Sequence, residues 1–394
     1  MVKKKKVFLA IESSHAYGRG LLLGISQYIQ ERNHWQIHLE GRGMYEDYLP
    51  WLENWQGDGI IVRTFSREMS RALQYAKAPV VELLGDGDPD AARSGTSEVR
   101  TDEESICLLA INHFFERGVR HVAFYSYGQS WWLADRSAYF ERTARKYGLD
   151  CRQFHEATDR SPSILPVASR EQEDLIQWLR ELPKPVGLWG ATDLMAIRVM
   201  NVCLDIGLTV PDEVAILGTD NDLHFCLMSS PRLSSIDLAP EKVGYQSAVL
   251  LDRKMNGQQT GTHAPIIVQP NGICPRASSD TLAIDDPSAA KIIRYIRENA
   301  TFGLTVSDVR RQFDVIPRTL ERTVKKYLGR SPEAEIKRIR MEHARKLLYD
   351  TRLSVSEVSR LSGFQSPEYF VKTFKKENGK SPLQYRNTHN QLNQ

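Results

Sequence analysis

The sequence predicts an α/β region of two doubly wound parallel-sheet lobes, followed by an all-α domain with two helix-turn-helix motifs joined by a linker helix. Three observations carry this expectation. Short apolar runs alternate with amphipathic stretches over the first 270 residues or so, charge is segregated along the chain, and the last hundred residues contain an internal repeat. At 394 residues the chain exceeds one average domain and can bury more than one core.

The apolar runs come first. "KVFLAI", "WQIHLE", "GIIVRT" and "PVVELLG" are β-rich, and helical patterns such as Gly20 to Gln30 and Arg67 to Lys77 lie among them. The rhythm continues through "HVAFYSYG", "PVGLWG" and "EVAILGTDN", then a helix near Glu241 to Met255 and a strand at "PIIVQP". Alternation of this kind specifies an open parallel sheet, and roughly nine strands exceed what one small sheet holds, so two lobes are expected. "RASSDTLAIDDPSAA" is small, polar and acidic, which reads as a linker. The expected domains are therefore 1–276, a linker at 277–287, and 288–394.

From Ser288 onward there are 22 Lys and Arg against 11 Asp and Glu, whereas the preceding residues carry 30 against 38. A small basic unit behind a large acidic one suits a polyanion-binding module attached to something that binds no polyanion. Within this tail "LTVSDV" at Leu304 recurs as "LSVSEV" at Leu353, "TLERTVKK" at Thr319 as "YFVKTFKK" at Tyr369, and "GRSP" at Gly329 as "GKSP" at Gly379. Thr305 with Asp308, and Ser354 with Glu357, have capping-box spacing and start a short helix in each copy. A tight turn and a second helix follow, with Gly363 suited to the left-handed turn of copy two. Leu320, Val324, Phe370 and Phe374 take the core side of the second helices. Arg318, Thr319, Glu321 and Arg322, and likewise Glu368, Tyr369 and Lys372, are left facing outward as candidates to read double-stranded DNA. Lys325, Lys326, Lys375 and Lys376 are placed for phosphates. "IKRIRMEHARKLL" between the copies forms one amphipathic helix, with Ile336, Ile339, Ala344, Leu347 and Leu348 on its apolar side.

In the α/β region, ligands are expected at strand carboxyl ends. That rule selects Ser14, His15 and Tyr17 after the first strand, Asp193 after "GLWGAT", and Asp220 with Asn221 after "AILGT". Carboxylates, amides, hydroxyls and nearby aromatics suit a sugar, whose hydroxyls both donate and accept. Trp131, Trp132 and Trp189 are candidates for stacking on it, with core packing as the alternative.

Over about a hundred residues, including "RMEHARKLL" and "GFQSPEYFVKTFKKENGKSPLQYR", the tail resembles the AraC family of transcription regulators. Asp314 stands where that family usually has glycine at the first turn, and aspartate tolerates the left-handed region. The stretches "RGVRHVAFYS", "ATDLMAIRVM", "GLTVPDEVAILGTDN" and "PRLSSIDLAPEKVGYQSAVLL" resemble the LacI-type, periplasmic-binding-protein-like sensor fold. That resemblance implies sugar-contacting positions for Arg136, Asp193 and Asp220, with Asn221 beside them. The order of the two parts resembles the xylose-operon regulators. This implies a transcription activator that answers to D-xylose, works as a homodimer and meets RNA polymerase.

Other classes have little to support them. No run approaches the roughly 18 apolar residues of a membrane span. Met1 to Lys6 reads as a solubilising end leading into a strand rather than as a signal peptide. The five cysteines are dispersed, without disulfide or zinc spacing, so the cytoplasm is expected and no metal or cofactor is implied. There is no phosphate loop, nucleophile elbow or H-E-x-x-H, and "GDGD" at Gly85 precedes no phosphate-type helix, so no catalytic residue is assigned. A transport-type sugar-binding protein would lack the basic tail. A regulator of this architecture sensing another pentose, a hexose or a sugar acid remains the principal alternative.

Overall fold

A computed structural model describes residues 4–32, 34–42, 55–64, 73, 75–83, 97–128, 130–156, 170–258, 264–281 and 286–390. Most of the helix expected over Arg67 to Lys77, the "GDGD" segment and positions 282–285 of the expected linker lie outside these residues. The chain divides into two compact units, the first ending at Thr281, and Glu116–Val119 group with the second.

The first unit contains two six-stranded sheets. In one, β1 (Lys5–Glu12) lies between β2 (Trp35–Arg42) and β3 (Gly59–Arg63), followed outward by β4 (Val80–Leu83), β5 (Ser97–Thr101) and β11 (Ile266–Val268), all parallel. In the other, the order is β7 (Asp150–Glu156), β6 (His121–Tyr127), β8 (Val186–Gly190), β9 (Val214–Thr219), β10 (Ser234–Asp237) and β12 (Gly272–Cys274), with only the last pair antiparallel. Every residue of β3, β4, β8 and β9 is buried, as parallel strands covered on both faces require. β5, β7, β10 and β12 were not foreseen. "SEVRT", "DCRQFHE", "SSID" and "GIC" are too polar or too short to read as apolar runs, and the ladder beside them supplies the stability their propensity lacks.

The chain crosses between the lobes at three places: from Thr101 into α2 (Glu103–Phe115), from Asp237 into α7 (Pro240–Met255), and from Val268 to Gly272. Helix α7 packs on α1 (Ala16–Arg32) so closely that a Cβ on Gly24 would overlap the carbonyl oxygen of Glu241, and one on Gly244 that of Leu21. Gly24→Ala should therefore destabilise the first unit by about 1–3 kcal/mol, visible as a lowered melting temperature.

Residues 277–281, expected to open the linker, instead complete the first unit. Ala277–Ser279 form a 3-10 turn, and Ser278, Ser279 and Thr281 are buried. Their hydroxyls made the segment look like a linker, but Ser278 Oγ donates to the Ile216 carbonyl of β9 at 2.7 Å and so belongs to the core.

The second unit is all-α. Helices α8 (Pro287–Asn299), α9 (Val306–Phe313), α10 (Pro317–Leu328) and the first half of α11 (Pro332–Asp350) enclose a core of Ile292, Ile293, Ile296, Val309, Leu320, Val324 and Ile336. The second half of α11, with α12 (Val355–Leu361), α13 (Pro367–Asn378) and Tyr385 of α14 (Pro382–Asn390), encloses another, around Met341, Ala344, Leu348, Phe370 and Phe374. The 19-residue α11, about 28 Å long, joins the two copies of the repeat.

Candidate functional site, an interlobe cleft and a nucleic-acid interface

A cavity of about 300 Å³ lies between the lobes of the first unit. His15 and Tyr17, just past β1, and Arg63, the last residue of β3, line it from one lobe. Trp131, Trp132 and Arg136 at the start of α3 (Trp131–Lys146), Thr192 after β8 and Asp220 after β9 line it from the other. Thr101 and Leu238 contribute from the crossings.

Two ion pairs organise the cavity. Buried Arg136 donates from Nε and Nη2 to both oxygens of Glu103 at 2.8 and 2.7 Å, and from Nη1 to the Ala191 carbonyl at 2.9 Å. Its guanidinium lies 4.9 Å from the Trp132 ring centre. Arg63 pairs with buried Glu12 and stacks 4.5 Å from the centre of the Tyr17 ring. Tyr17 Oη and Thr101 Oγ1 share a hydrogen bond at 3.2 Å. The indole N–H of Trp132 is buried and has no hydrogen-bond partner among the described residues.

Asp220 has φ 101° and Asn221 φ 50°, a left-handed pair without glycine. Such backbone persists only where the surroundings over-determine it, and it gathers at functional sites. Burial pushes the Asp220 carboxyl up from 3.8 to about 7, against the pull of Arg136 and Arg63. His15 is pushed below its ordinary 6.5, first by burial and then by Arg63 and Arg19.

Of the residues named from sequence, His15, Tyr17, Arg136 and Asp220 meet in this cavity, and three do not. Asp193 is buried in the lobe, where Oδ2 accepts from the Asp222 amide at 2.7 Å and Oδ1 from Ser235 Oγ, so it braces the turn rather than lining the cleft. Asn221 gives its side-chain oxygen to Arg276 at 2.8 Å. Ser14 is exposed and bonds to its neighbour His15 at 2.9 Å. The strand-end rule located the right turns but could not tell which side chain along each turn meets the cavity. Trp189 is a core residue, its N–H donated to Thr219 Oγ1 at 2.9 Å, whereas Trp131 and Trp132 line the cleft. Arg63, Thr101, Glu103 and Thr192 were missed, although Arg63 ends β3 within the run "GIIVRT" and satisfies the same rule.

The second unit realises the repeat. Both capping boxes are present, Thr305 with Asp308 and Ser354 with Glu357. The first turn passes through Asp314 at φ 47°, ψ 47°, as expected of an aspartate replacing glycine. The second passes through Gly363 at φ 77°, where a Cβ would also come within 2.7 Å of the Thr301 carbonyl oxygen. On α10 the side chains of Arg318, Glu321, Arg322, Lys325 and Lys326 are exposed and Thr319 is half-buried. Lys326 also lies over the Tyr327 ring. On α13, Glu368, Tyr369, Lys372, Lys375 and Lys376 are exposed, while Leu320, Val324, Phe370 and Phe374 are buried beneath the two helices. Among the described residues no helix is long and apolar enough to cross a membrane.

Two lobes around a cleft, followed by paired helix-turn-helix motifs, define the class, and comparison with known proteins agrees. Residues 6–103 match the XylR N-terminal domain, residues 111–279 the periplasmic binding protein-like domain, and residues 309–388 a helix-turn-helix domain. The chain is thus an AraC-type transcription regulator with a periplasmic-binding-protein-like domain ahead of its DNA-binding domain. Within that class it resembles the xylose operon regulatory protein of Escherichia coli strain K12, with 28% identity over 99% of both chains. The protein of the same name from Haemophilus influenzae is 27% identical over 97% of this chain and 98% of that one. A solved structure of the xylose-binding transcription activator XylR superposes with a TM-score of 0.64 at 27% identity, covering 98% of this chain and 99% of that one. These relatives are transcription regulators rather than enzymes.

Proposed function

We propose that the interlobe cleft binds a neutral monosaccharide, D-xylose, and that its occupancy controls binding of the second unit to double-stranded DNA. The observation that carries this reading is the balance of charge in the cleft. Arg136 and Arg63 each already hold a carboxylate, and the third arginine of the lining, Arg100, shares it with Asp102, Glu103, Glu104, Asp135 and Asp220, so carboxylates outnumber cations around any sugar acid or sugar phosphate. The groups on offer are those a polyol uses: an acceptor at Asp220, the Trp132 N–H, the Tyr17 and Thr192 hydroxyls, and aromatic faces for ring carbons. Its likeness to xylose regulators supports D-xylose over another pentose or a hexose, and the same charge balance argues against a sugar acid. The regulator would act in the cytoplasm as a homodimer and, in contact with RNA polymerase, activate genes for xylose uptake and catabolism.

In the second unit, Arg318, Thr319, Glu321 and Arg322 on α10, with Glu368, Tyr369 and Lys372 on α13, would face base edges. Lys325, Lys326, Lys375 and Lys376, a turn or more further on, would meet phosphates. Against a site selected by the protein from random DNA, Arg322→Ala or Lys372→Ala should cost about 1–3 kcal/mol and much less on unselected DNA. Lys375→Ala should weaken both alike and reduce the salt slope by about one. Equal losses on both DNAs for Arg322→Ala would make that residue a phosphate contact.

A further inference from the structure

The turn after β9 sends three consecutive side chains to three destinations. Asp220 lines the cleft. Asp222 Oδ2 accepts from Arg19 Nη2 of the opposite lobe at 3.1 Å, an ion pair that ties the lobes together beside the cleft. Asn221 Oδ1 accepts from Arg276 Nη2 at 2.8 Å. Arg276 comes from the far end of the unit, five residues before the unit ends at Thr281.

The bonds continue from Arg276 without a break. Its Nη1 donates to the Leu233 carbonyl at 2.8 Å, and its own amide and carbonyl both bond to Ser234 Oγ, at 2.7 and 2.9 Å. Ser279 Oγ bonds to that same Ser234 hydroxyl at 2.7 Å and to His113 Nε2 at 2.7 Å. Ser278 Oγ accepts from the Ser234 amide at 2.8 Å. The turn itself is braced from below, because Ser235 Oγ accepts from the Asn221 amide at 2.9 Å and donates to buried Asp193, which also accepts from the Asp222 amide. The turn therefore has little freedom to move by itself, and a shift at Asp220 has to be taken up by Arg276 and the residues that follow it.

Resting on the effector reading above, we propose that Arg276, through Asn221, is the positioning residue that couples occupancy of the cleft to the residues entering the DNA-binding unit. Neither residue lines the cleft, so both act on the response to sugar rather than on the sugar. The backbone at Asp220, at φ 101°, is strained and held by the bonded network, and the coupling proposed here requires that filling the cleft lets this turn relax to a second arrangement. Coupling between two sites is reciprocal, so DNA should raise or lower sugar affinity by the same factor as sugar changes DNA affinity.

The test uses the full chain, D-xylose and a DNA site selected by the protein from random sequence. In the wild type D-xylose should change DNA affinity by roughly 5- to 150-fold, whereas in Asn221→Ala and Arg276→Gln that ratio should fall to under about threefold while sugar affinity and sugar-free DNA affinity each stay within about threefold. Asn221→Asp, which keeps the acceptor, should restore the ratio. A purely structural role would instead lower the melting temperature and all affinities together, and that result, or an unchanged ratio in folded Asn221→Ala, overturns the proposal. If Asn221→Ala fails to fold, Arg276→Gln decides by the same criteria. If the wild type gives no heat with D-xylose, it is the effector reading that fails. The relay is then judged by hydrogen exchange in the sugar-free chain, where Asn221→Ala should speed exchange of the amides at 276–281, and unchanged exchange overturns it.

Discussion

Asp220→Ala is expected to weaken D-xylose binding by one to two decades, about 1–3 kcal/mol, because a sugar hydroxyl buried against the site loses its acceptor. The comparison variant is Asp205→Ala, an exposed carboxylate at the end of α5 (Asp193–Asp205), which should bind as the wild type does. A pH dependence accompanies the effect. The folded-state value of Asp220 is raised, from 3.8 to about 7, so the folded protein holds this proton more tightly than the unfolded chain. Its contribution to stability is therefore present at low pH and is lost as pH rises from about 4 to about 7. Sugar hydroxyls donate to the ionised carboxylate, so D-xylose affinity should climb as pH passes through about 7 and level off above it. His15, pushed below 6.5, is neutral by then. Calorimetric titration across this range should show the climb in the wild type and a flat profile in Asp220→Asn. The same climb in Asp220→Asn would assign it to another group.

Arg136→Ala should have the largest effect on the protein itself. The guanidinium satisfies both oxygens of Glu103, the Ala191 carbonyl and the face of Trp132, so its removal strands a partly buried carboxylate and opens the cleft wall. Breaking a buried pair from one side costs about 3–5 kcal/mol, and sugar binding should be lost along with it. Arg136→Lys should recover only part of the stability, because an ammonium cannot reproduce the two-pronged bond to Glu103. Thermal melts with and without D-xylose check both statements. A variant that melts like the wild type would show that Glu103 finds its compensation elsewhere.

How far the sequence was legible depended on what each signal measures. The repeat was read almost residue by residue, because capping boxes, turn residues and helical spacing are local and act within a few bonds of the residues that encode them. The left-handed Asp314 and the buried Phe370 and Phe374 all follow from that local code. Central strands were legible because burial on both faces makes them continuously apolar. The polar strands β5, β7, β10 and β12 were not, since their stability comes from neighbours distant in sequence. Within the cleft, Asp220, His15 and Tyr17 followed from position after a strand, whereas Asp193 and Asn221 satisfied the same rule and turned out to be braces. What separates them is the partner each meets across the fold, Ser235 for one and Arg276 for the other, and no spacing along the chain reveals that.

Occupancy of the interlobe cleft by a neutral sugar underlies all of these expectations. It is tested most directly by calorimetric titration of the intact protein at about pH 7.5, above the Asp220 transition, with D-xylose, L-arabinose, D-glucose and D-gluconate in turn. The expected result is one saturable site per chain for D-xylose, weaker binding of the other two neutral sugars, and no heat from the anion. Tight binding of D-gluconate, or no binding of any neutral sugar, would contradict it.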